Sequence, residues 1–229
     1  MFKLMRSKLV FVLFFIVLGI VALQIPINTL AGSKVKFTLF DLLAPISGAF
    51  LGTPLGIISV LAMQFVNLVT HGFSGVNTSS PLTLIATLRF LPLLVGVWFF
   101  AKREWRLLFI PAAAIIVFNF HPIGRTVWFY SLFWIIPFLV WPLRDRFLIA
   151  RSLGATMTAH AAGGAVWIWA FNLPANIWVS LIPVVILERT IFALGISASY
   201  ILTNNILGYL SSKKLIPKVA MLDKRYFLK

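Results

Sequence analysis

Seven side chains of this sequence are candidates for binding or transferring a small molecule within an otherwise apolar chain. They are Asp41, Asn67, Arg89, His160, Trp167, Glu188 and Arg189. The carboxylates and the imidazole can exchange protons, the guanidinium groups can hold anions, and the amide and indole can hydrogen bond to a solute. Because an ionisable group is costly to bury in lipid, such a residue inside a membrane is by default a candidate for a functional site.

The composition indicates that these side chains lie in a membrane. Of the 229 residues 61% are hydrophobic and only 11% are charged, and the mean hydropathy is +1.01. A chain of this kind cannot be arranged as a soluble globule. Apolar runs at 9–30, 82–101 and 177–202 approach or exceed the roughly 20 residues that a helix needs to cross the hydrocarbon layer. Backbone groups in lipid must be satisfied within helices, so the predicted fold is an all-α polytopic membrane helix bundle.

The apolar segments define the predicted organisation. About eight follow one another along the chain, and because two are short we expect about 6–8 transmembrane segments. The segments are 8–31, 37–51, 55–71, 81–101, 106–120, 126–142, 148–170 and 176–205. They form one transmembrane domain over residues 1–210, followed by a basic cytoplasmic tail at 211–229. We expect this tail to lie on the anionic inner surface of the membrane or to be frayed.

The net charge of +15 indicates topology and not a nucleic-acid partner. If the segments alternate and the N-terminus is cytoplasmic, 15 of the 20 Lys and Arg residues fall on the inner side. The sequence therefore predicts a multi-pass protein of the cell (cytoplasmic) membrane with both termini in the cytoplasm. A single span over 37–71 would reverse this bias, so we predict a short helical hairpin there, turning near Gly52. It either spans fully or is re-entrant, and residues 1–31 are either a retained anchor or a cleaved signal.

The polar residues of the predicted helices share the outer half and the middle of the membrane. Counted from the outer helix ends, Asp41 lies about 6 Å deep, Arg89 about 12 Å, His160 about 15 Å and Glu188 about 18 Å. Because neighbours in a helix point about 100° apart, we expect Glu188 and Arg189 not to neutralise each other. The predicted partners are Arg89 for Glu188 and Asp41 for Arg189. Such groups line a polar cavity or form ion pairs between helices.

Several candidates have structural alternatives. Asp41 is also a good capping residue at a helix N-terminus, and His160 suits an interhelical hydrogen bond. Trp167 fits an interfacial aromatic belt as well as a stacking contact with a solute. The outer loop at 71–80 is either a lid or a plain connector.

The hairpin carries a more particular pattern, Asp41-Leu-Leu-Ala-Pro45, then Gly48, then Leu51-Gly-Thr-Pro-Leu-Gly56, and then an apolar helix ending in Asn67. Over residues 37–101 the chain resembles the substrate-binding S components of energy-coupling factor transporters. The resemblance implies uptake of a vitamin-like or metal cargo from outside and separate transmembrane and ATPase subunits. The small-residue face Ala155/Ala159/Gly163 either packs within the chain or docks such a subunit.

These observations give three functional classes. The leading prediction is a solute-binding and transport subunit. Its small solute binds in a site lined by the seven candidate residues, and the lipid bilayer surrounds the protein. The alternatives are a membrane enzyme acting on a lipid or isoprenoid phosphate, and a noncatalytic assembly subunit. No catalytic motif, metal-ligand spacing or nucleotide-binding loop occurs, and cysteine is absent, so we expect neither an enzyme, nor a cofactor, nor a bound metal.

Overall fold

The computed structural model describes residues 2–29, 36–71, 90–214 and 221–228. In these residues the fold is all-α apart from one short strand pair, which confirms the all-α part of the predicted fold class. The α-helices are α1 (Phe2–Leu23), α2 (Leu39–Leu51), α3 (Thr53–His71), α4 (Phe90–Ala101), α5 (Phe109–Phe120), α6 (Pro122–Thr126), α7 (Ile136–Val140), α8 (Leu148–Phe171) and α9 (Ala175–Ser212). The strands β1 (Pro26–Thr29) and β2 (Lys36–Thr38) pair antiparallel. Four 3₁₀ segments occupy Trp105–Leu108, Trp128–Ile135, Trp141–Leu143 and Lys224–Tyr226.

Two predicted boundaries are wrong. The first apolar segment does not stay helical to residue 31, because α1 ends at Leu23 and β1 begins at Pro26, where proline has no amide to continue the helix. The last segment does not end at residue 205. Helix α9 continues to Ser212 and spans 38 residues, past the predicted end of the last apolar segment.

By length and apolar composition, α9 is the single helix within the described ranges that is able to cross a membrane. Other apolar stretches are shorter, at 39–51, 53–66, 91–101, 105–120 and 128–143. The number of spans therefore stays a prediction.

The α2–α3 hairpin turns at Gly52, whose φ of +83° suits glycine. The two helices then pack so closely that a Cβ on Gly56 would lie 2.5 Å from the backbone nitrogen of Gly48. Inside the hairpin, the Ser47 hydroxyl donates to the carbonyl of Ala44 at 2.7 Å. The glycine spacing read from the sequence is thus the packing surface of the hairpin.

The segment expected as one helix at 126–142 is broken. Helix α6 ends at Thr126, an eight-residue 3₁₀ segment follows at Trp128–Ile135, and α7 has only five residues. Pro137 and Pro142 lack the amide that a continuous α-helix would use, and long 3₁₀ runs are uncommon. The break turns the aromatic side chains of 128–135 towards α8.

Within the described residues, two hydrophobic cores follow one another along α8 and α9. The first is formed by α1, α2, α3, α4 and the second half of α9, around Phe50, Phe100 and Tyr200. The second is formed by α5, the 128–135 segment, α8 and the start of α9, around Phe118, Trp134 and Trp178. Helix α8 contacts both.

The small-residue face of α8 packs within the chain. A Cβ on Gly96 of α4 would lie 3.5 Å from the Cβ of Ala159, and one on Gly163 would lie 3.4 Å from Pro92. Of the two expected uses of the Ala155/Ala159/Gly163 face, the structure shows intramolecular packing against α4.

One end of the bundle, called here the basic end, carries the α2–α3 turn, the C-terminus of α4 and the connection before α8. Buried Arg144 donates to the carbonyl of Phe99 at 2.6 Å, and Arg151 donates to that of Phe100. These carbonyls are the ones that the end of α4 leaves without helical partners. The positive side chains also complement the negative end of the α4 dipole.

Candidate functional site

The candidate site is a group of polar side chains from three elements, called here the polar cluster. It consists of Tyr130, Trp134, Thr156, His160, Glu188 and Arg189. Tyr130 and Trp134 come from the 3₁₀ segment, Thr156 and His160 from one face of α8, and the last two from the middle of α9. The cluster brings together three of the residues predicted from the sequence, His160, Glu188 and Arg189.

His160 is held by a hydrogen bond at each ring nitrogen. The Trp134 indole donates from Nε1 to His160 Nδ1 at 3.1 Å, and the Tyr130 hydroxyl lies 3.2 Å from Nε2. An indole N–H can only donate, so Nδ1 must be the unprotonated nitrogen. The imidazole is then the neutral Nε2–H tautomer and donates to the Tyr130 oxygen. The interhelical hydrogen bond proposed for His160 from the sequence is therefore present.

This arrangement leaves the Tyr130 hydroxyl proton pointing away from the histidine, since its oxygen already accepts from Nε2. The Tyr130 ring is fixed by Phe118, with ring centroids 5.8 Å apart, and by Trp178 at 4.9 Å. Its hydroxyl lies where the charges of Arg189 and Glu188 both act on it. The phenol therefore forms a donor held in place by aromatic packing.

Glu188 and Arg189 do contact each other, contrary to the expectation from their 100° separation. Arg189 Nη2 lies 3.4 Å from Glu188 Oε2, and both side chains are buried. Arg189 also donates to the Thr156 hydroxyl at 3.2 Å, and its guanidinium lies 4.6 Å from the Phe192 ring centroid. The prediction failed because both side chains are long enough to bend towards each other although their Cβ atoms diverge.

Asp41 acts first as a capping residue. Its carboxylate, three residues into α2 from Thr38, accepts the Thr38 backbone N–H at 2.7 Å. Its charge also acts on Arg189, the partner expected for it.

Trp167 lies two helical turns beyond His160, where its ring packs edge-on against Phe171 at 5.1 Å. The aromatic-belt interpretation fits this position better than a place in the polar cluster.

The remaining expectations lie outside the described residues. These are Arg89 with its pairing to Glu188, the Asn67 side chain, and the proposed lid at 72–80.

Buried polar atoms without a hydrogen-bond partner in the described part of the chain occur at the cluster and beside it. Examples are Oε1 of Glu188, a residue 4% exposed, and Nε1 of Trp178, which is 2% exposed. A buried acceptor or donor left unpaired costs about 1–3 kcal/mol, so natural proteins rarely retain one without a use.

The geometry of the polar cluster does not favour metal binding. Both nitrogens of His160 are already engaged, and Arg189 places a positive charge beside the one carboxylate of the cluster. Across the described ranges no group of three or more His, Cys, Asp or Glu residues could hold a metal ion.

The sequence reasoning did not place Tyr130, Trp134, Thr156 or Trp178 in the site. Thr156 and His160 are four residues apart in a helix, which does put them on one face. Tyr130 and Trp134 are also four residues apart, but their segment is not a continuous helix, and the sequence does not show which way it faces.

The chain matches no protein-family model, no curated protein and no solved structure. The likeness to S components therefore stays a prediction, and the polar cluster has to be interpreted from its own geometry.

Proposed function

We propose that this protein is a membrane-embedded subunit that binds and takes up a small solute, with the polar cluster as its binding site. The proposal has three parts: that the helices lie in lipid, that the cluster meets a solute, and that a separate module supplies the energy.

The first part is supported by where apolar side chains face outwards. Leu13, Val17 and Val21 are exposed along one face of α1, and α3 exposes Phe65 and Val69. On a soluble protein such continuous apolar faces would promote aggregation, whereas in lipid they carry no penalty. We propose six to eight membrane segments, with the basic end and both termini in the cytoplasm.

The position of the polar cluster fits this arrangement. Helix α8 has 24 residues, which is about 36 Å, and His160 lies about 16 Å from its Phe171 end. Glu188 lies about 20 Å from the start of α9 at Ala175. Both residues are therefore near the centre of the proposed bilayer, where solute sites of transporters are commonly found.

The observation that carries the proposal is the unpartnered Oε1 of Glu188 inside this apolar bundle. A buried ion pair kept only for structure is expected to have its remaining oxygen satisfied by a further hydrogen bond. A free acceptor in the same cluster as the Tyr130 donor instead complements a solute that has both an N–H or O–H group and an acceptor.

The charge of the cluster narrows the solute class. Glu188 and Arg189 compensate each other, and His160 is held in its neutral form by Trp134. The geometry favours an uncharged or zwitterionic organic solute over a metal ion. Of the two cargo classes implied by the sequence resemblance, the vitamin-like one fits better.

Any use of ATP for uptake has to come from another subunit, because the sequence contains no nucleotide-binding loop. The partners we propose are a separate transmembrane subunit and an ATPase.

The test is native mass spectrometry of the protein extracted gently from its own host, together with metal analysis of the same sample. We expect one organic solute per chain, or a complex containing an ATPase. A bare chain that carries phospholipid only would contradict the proposal and favour the lipid-enzyme or assembly alternatives.

Glu188→Gln is the decisive variant, because it removes the charge and keeps the shape of the side chain. We expect the retained solute to fall at least tenfold. Glu104→Gln is the matched control, since Glu104 pairs with Lys102 at the basic end, 3.5 Å away and outside the cluster. Equal retention in both variants would remove Glu188 from the site.

A further inference from the structure

The C-terminal residues 221–228, called here the C-terminal segment, are held at the basic end mainly through their backbone. Two neighbouring asparagines of α9 make these contacts. Asn204 donates from Nδ2 to the carbonyl of Asp223 and accepts the Asp223 N–H at Oδ1, both at 2.9 Å. Asn205 donates to the carbonyl of Tyr226 and accepts the Leu228 N–H, both at 2.7 Å. Residues 221–228 are therefore docked and not frayed, and their position at the membrane surface stays a prediction.

The segment lies against the turn of the α2–α3 hairpin. Met221 donates its backbone N–H to the carbonyl of Phe50 at 3.2 Å, and its side chain lies close to Gly52. This carbonyl lies in the last turn of α2, where helix carbonyls lack intrahelical partners.

Side chains of the segment complete the contact. The Tyr226 ring packs edge-on against Tyr200 with centroids 5.6 Å apart, and Tyr200 in turn stacks on Phe50 at 5.1 Å. Arg225 forms an ion pair with Asp223 at 2.7 Å and donates to the carbonyl of Asp145 at 3.0 Å. The segment thus bridges α2, α9 and the connection before α8.

The two asparagines contact the backbone of the segment and not its side chains. Asn204 pairs with both backbone groups of Asp223, and Asn205 pairs with the carbonyl of Tyr226 and the N–H of Leu228, beyond the 3₁₀ turn Lys224–Tyr226. Asn204 is fully buried, and replacing it with an apolar residue would leave backbone groups of the segment unpaired.

The contacts of the segment are also fewer and more polar than those of the helices around it. Met221, Phe227 and Leu228 have largely exposed side chains, and Leu222 and Tyr226 supply its partly buried apolar surface. A unit with little buried apolar area and several hydrogen bonds near solvent opens at a lower free energy than the core does.

We propose that residues 221–228 are a detachable gate, held at the basic end by the side-chain amides of Asn204 and Asn205, which bind its backbone on either side of a 3₁₀ turn. When docked, the gate covers the turn of the α2–α3 hairpin. When released, it exposes that turn. This inference is independent of the solute proposed for the polar cluster.

Hydrogen exchange of the full-length protein, followed by mass spectrometry, tests the gate. We expect the amides of 221–228 to exchange together, more slowly than in a free peptide of the same sequence and at least tenfold faster than those of α9 residues 196–204. Exchange as slow as in α9 would make the segment a fixed part of the fold. Exchange as fast as in the free peptide would mean that it does not dock. Either result would overturn the proposal.

Asn205→Ala is the variant that separates docking from folding, because Asn205 is only partly buried. We expect exchange in 221–228 to become on the order of tenfold faster, with exchange in α8 unchanged. Asn119→Ala is the matched control, since Asn119 makes comparable bonds to Ile115 and Ser131 away from the segment. Equal acceleration of the whole chain by Asn205→Ala would show that the segment opens only with global unfolding.

A cysteine at the hairpin turn gives an independent readout, because the natural chain has no cysteine. In Thr53→Cys we expect a bulky maleimide reagent to react slowly, and on the order of tenfold faster once Asn205→Ala is added. Thr126→Cys, on exposed backbone far from the segment, should react at the same rate in both backgrounds. An unchanged rate at residue 53 would show that the segment does not cover the turn.

Discussion

Replacing Tyr130 by phenylalanine tests the central hydrogen-bond arrangement of the polar cluster. The substitution removes one oxygen, which lies 3.2 Å from His160 Nε2, and keeps the ring between Phe118 and Trp178. The buried Nε2–H then loses its acceptor. Leaving a buried donor unpaired costs about 1–3 kcal/mol, so the free energy of unfolding should fall by that amount.

The assay is reversible unfolding of the purified protein in mixed detergent micelles, with Tyr209→Phe as the control. Tyr209 is 62% exposed, and its substitution should change the free energy of unfolding by no more than about 0.5 kcal/mol. A second cycle isolates the hydrogen bond. In a His160→Leu background Tyr130→Phe should cost close to nothing, which gives a coupling energy of about 1–3 kcal/mol.

Two results would refute this reasoning. One is a loss for Tyr130→Phe that equals the loss for Tyr209→Phe. The other is an equal loss with and without His160, because it would show that the two side chains do not interact.

Three further predictions concern packing, helix ends and pH. Gly56→Ala should lower the free energy of unfolding by about 1–3 kcal/mol, because its Cβ would meet the backbone of Gly48. Gly163→Ala should be nearly neutral in the same reversible unfolding assay. Arg151→Met keeps the apolar stem and removes a capping donor, so we expect a loss of about 1–3 kcal/mol in that assay. The Arg225 side chain, by hydrogen bonding, holds the pKa of Asp223 below its usual range. A spin label in the C-terminal segment should therefore stay immobile down to about pH 4 and gain mobility at lower pH, but not in Asp223→Asn.

The sign of the pH effect follows from this lowered pKa. The folded-state pKa of Asp223 lies below its unfolded value of about 3.8, so its stabilising contribution is complete above 3.8 and is lost as the pH falls through the folded value. Mobility that rises between pH 7 and 5 would contradict this assignment.

An unchanged free energy of unfolding in Gly56→Ala would show that the hairpin can widen. An unchanged free energy of unfolding in Arg151→Met would show that water caps α4 equally well.

The sequence predicted the helical class and the hairpin because both depend on local chemistry. Gly48, Gly52 and Gly56 recur at the spacing of one helical turn, and only glycine suits both the positive φ of the turn and the close approach of the two helices. His160, Glu188 and Arg189 were recognised as candidates for the same local reason, since each is a polar group in an apolar segment.

The tertiary structure decided which of these groups meet. Tyr130 and Trp134 contact His160 from a 3₁₀ segment that replaces the expected continuous helix, and no spacing rule gives the direction in which such a segment faces. The Glu188–Arg189 contact depends on side-chain rotamers that neighbouring helices select. The sequence showed only the positive charge of the tail, whereas the hydrogen bonds of residues 221–228 to Asn204, Asn205 and Phe50 form only once α2 and α9 have packed.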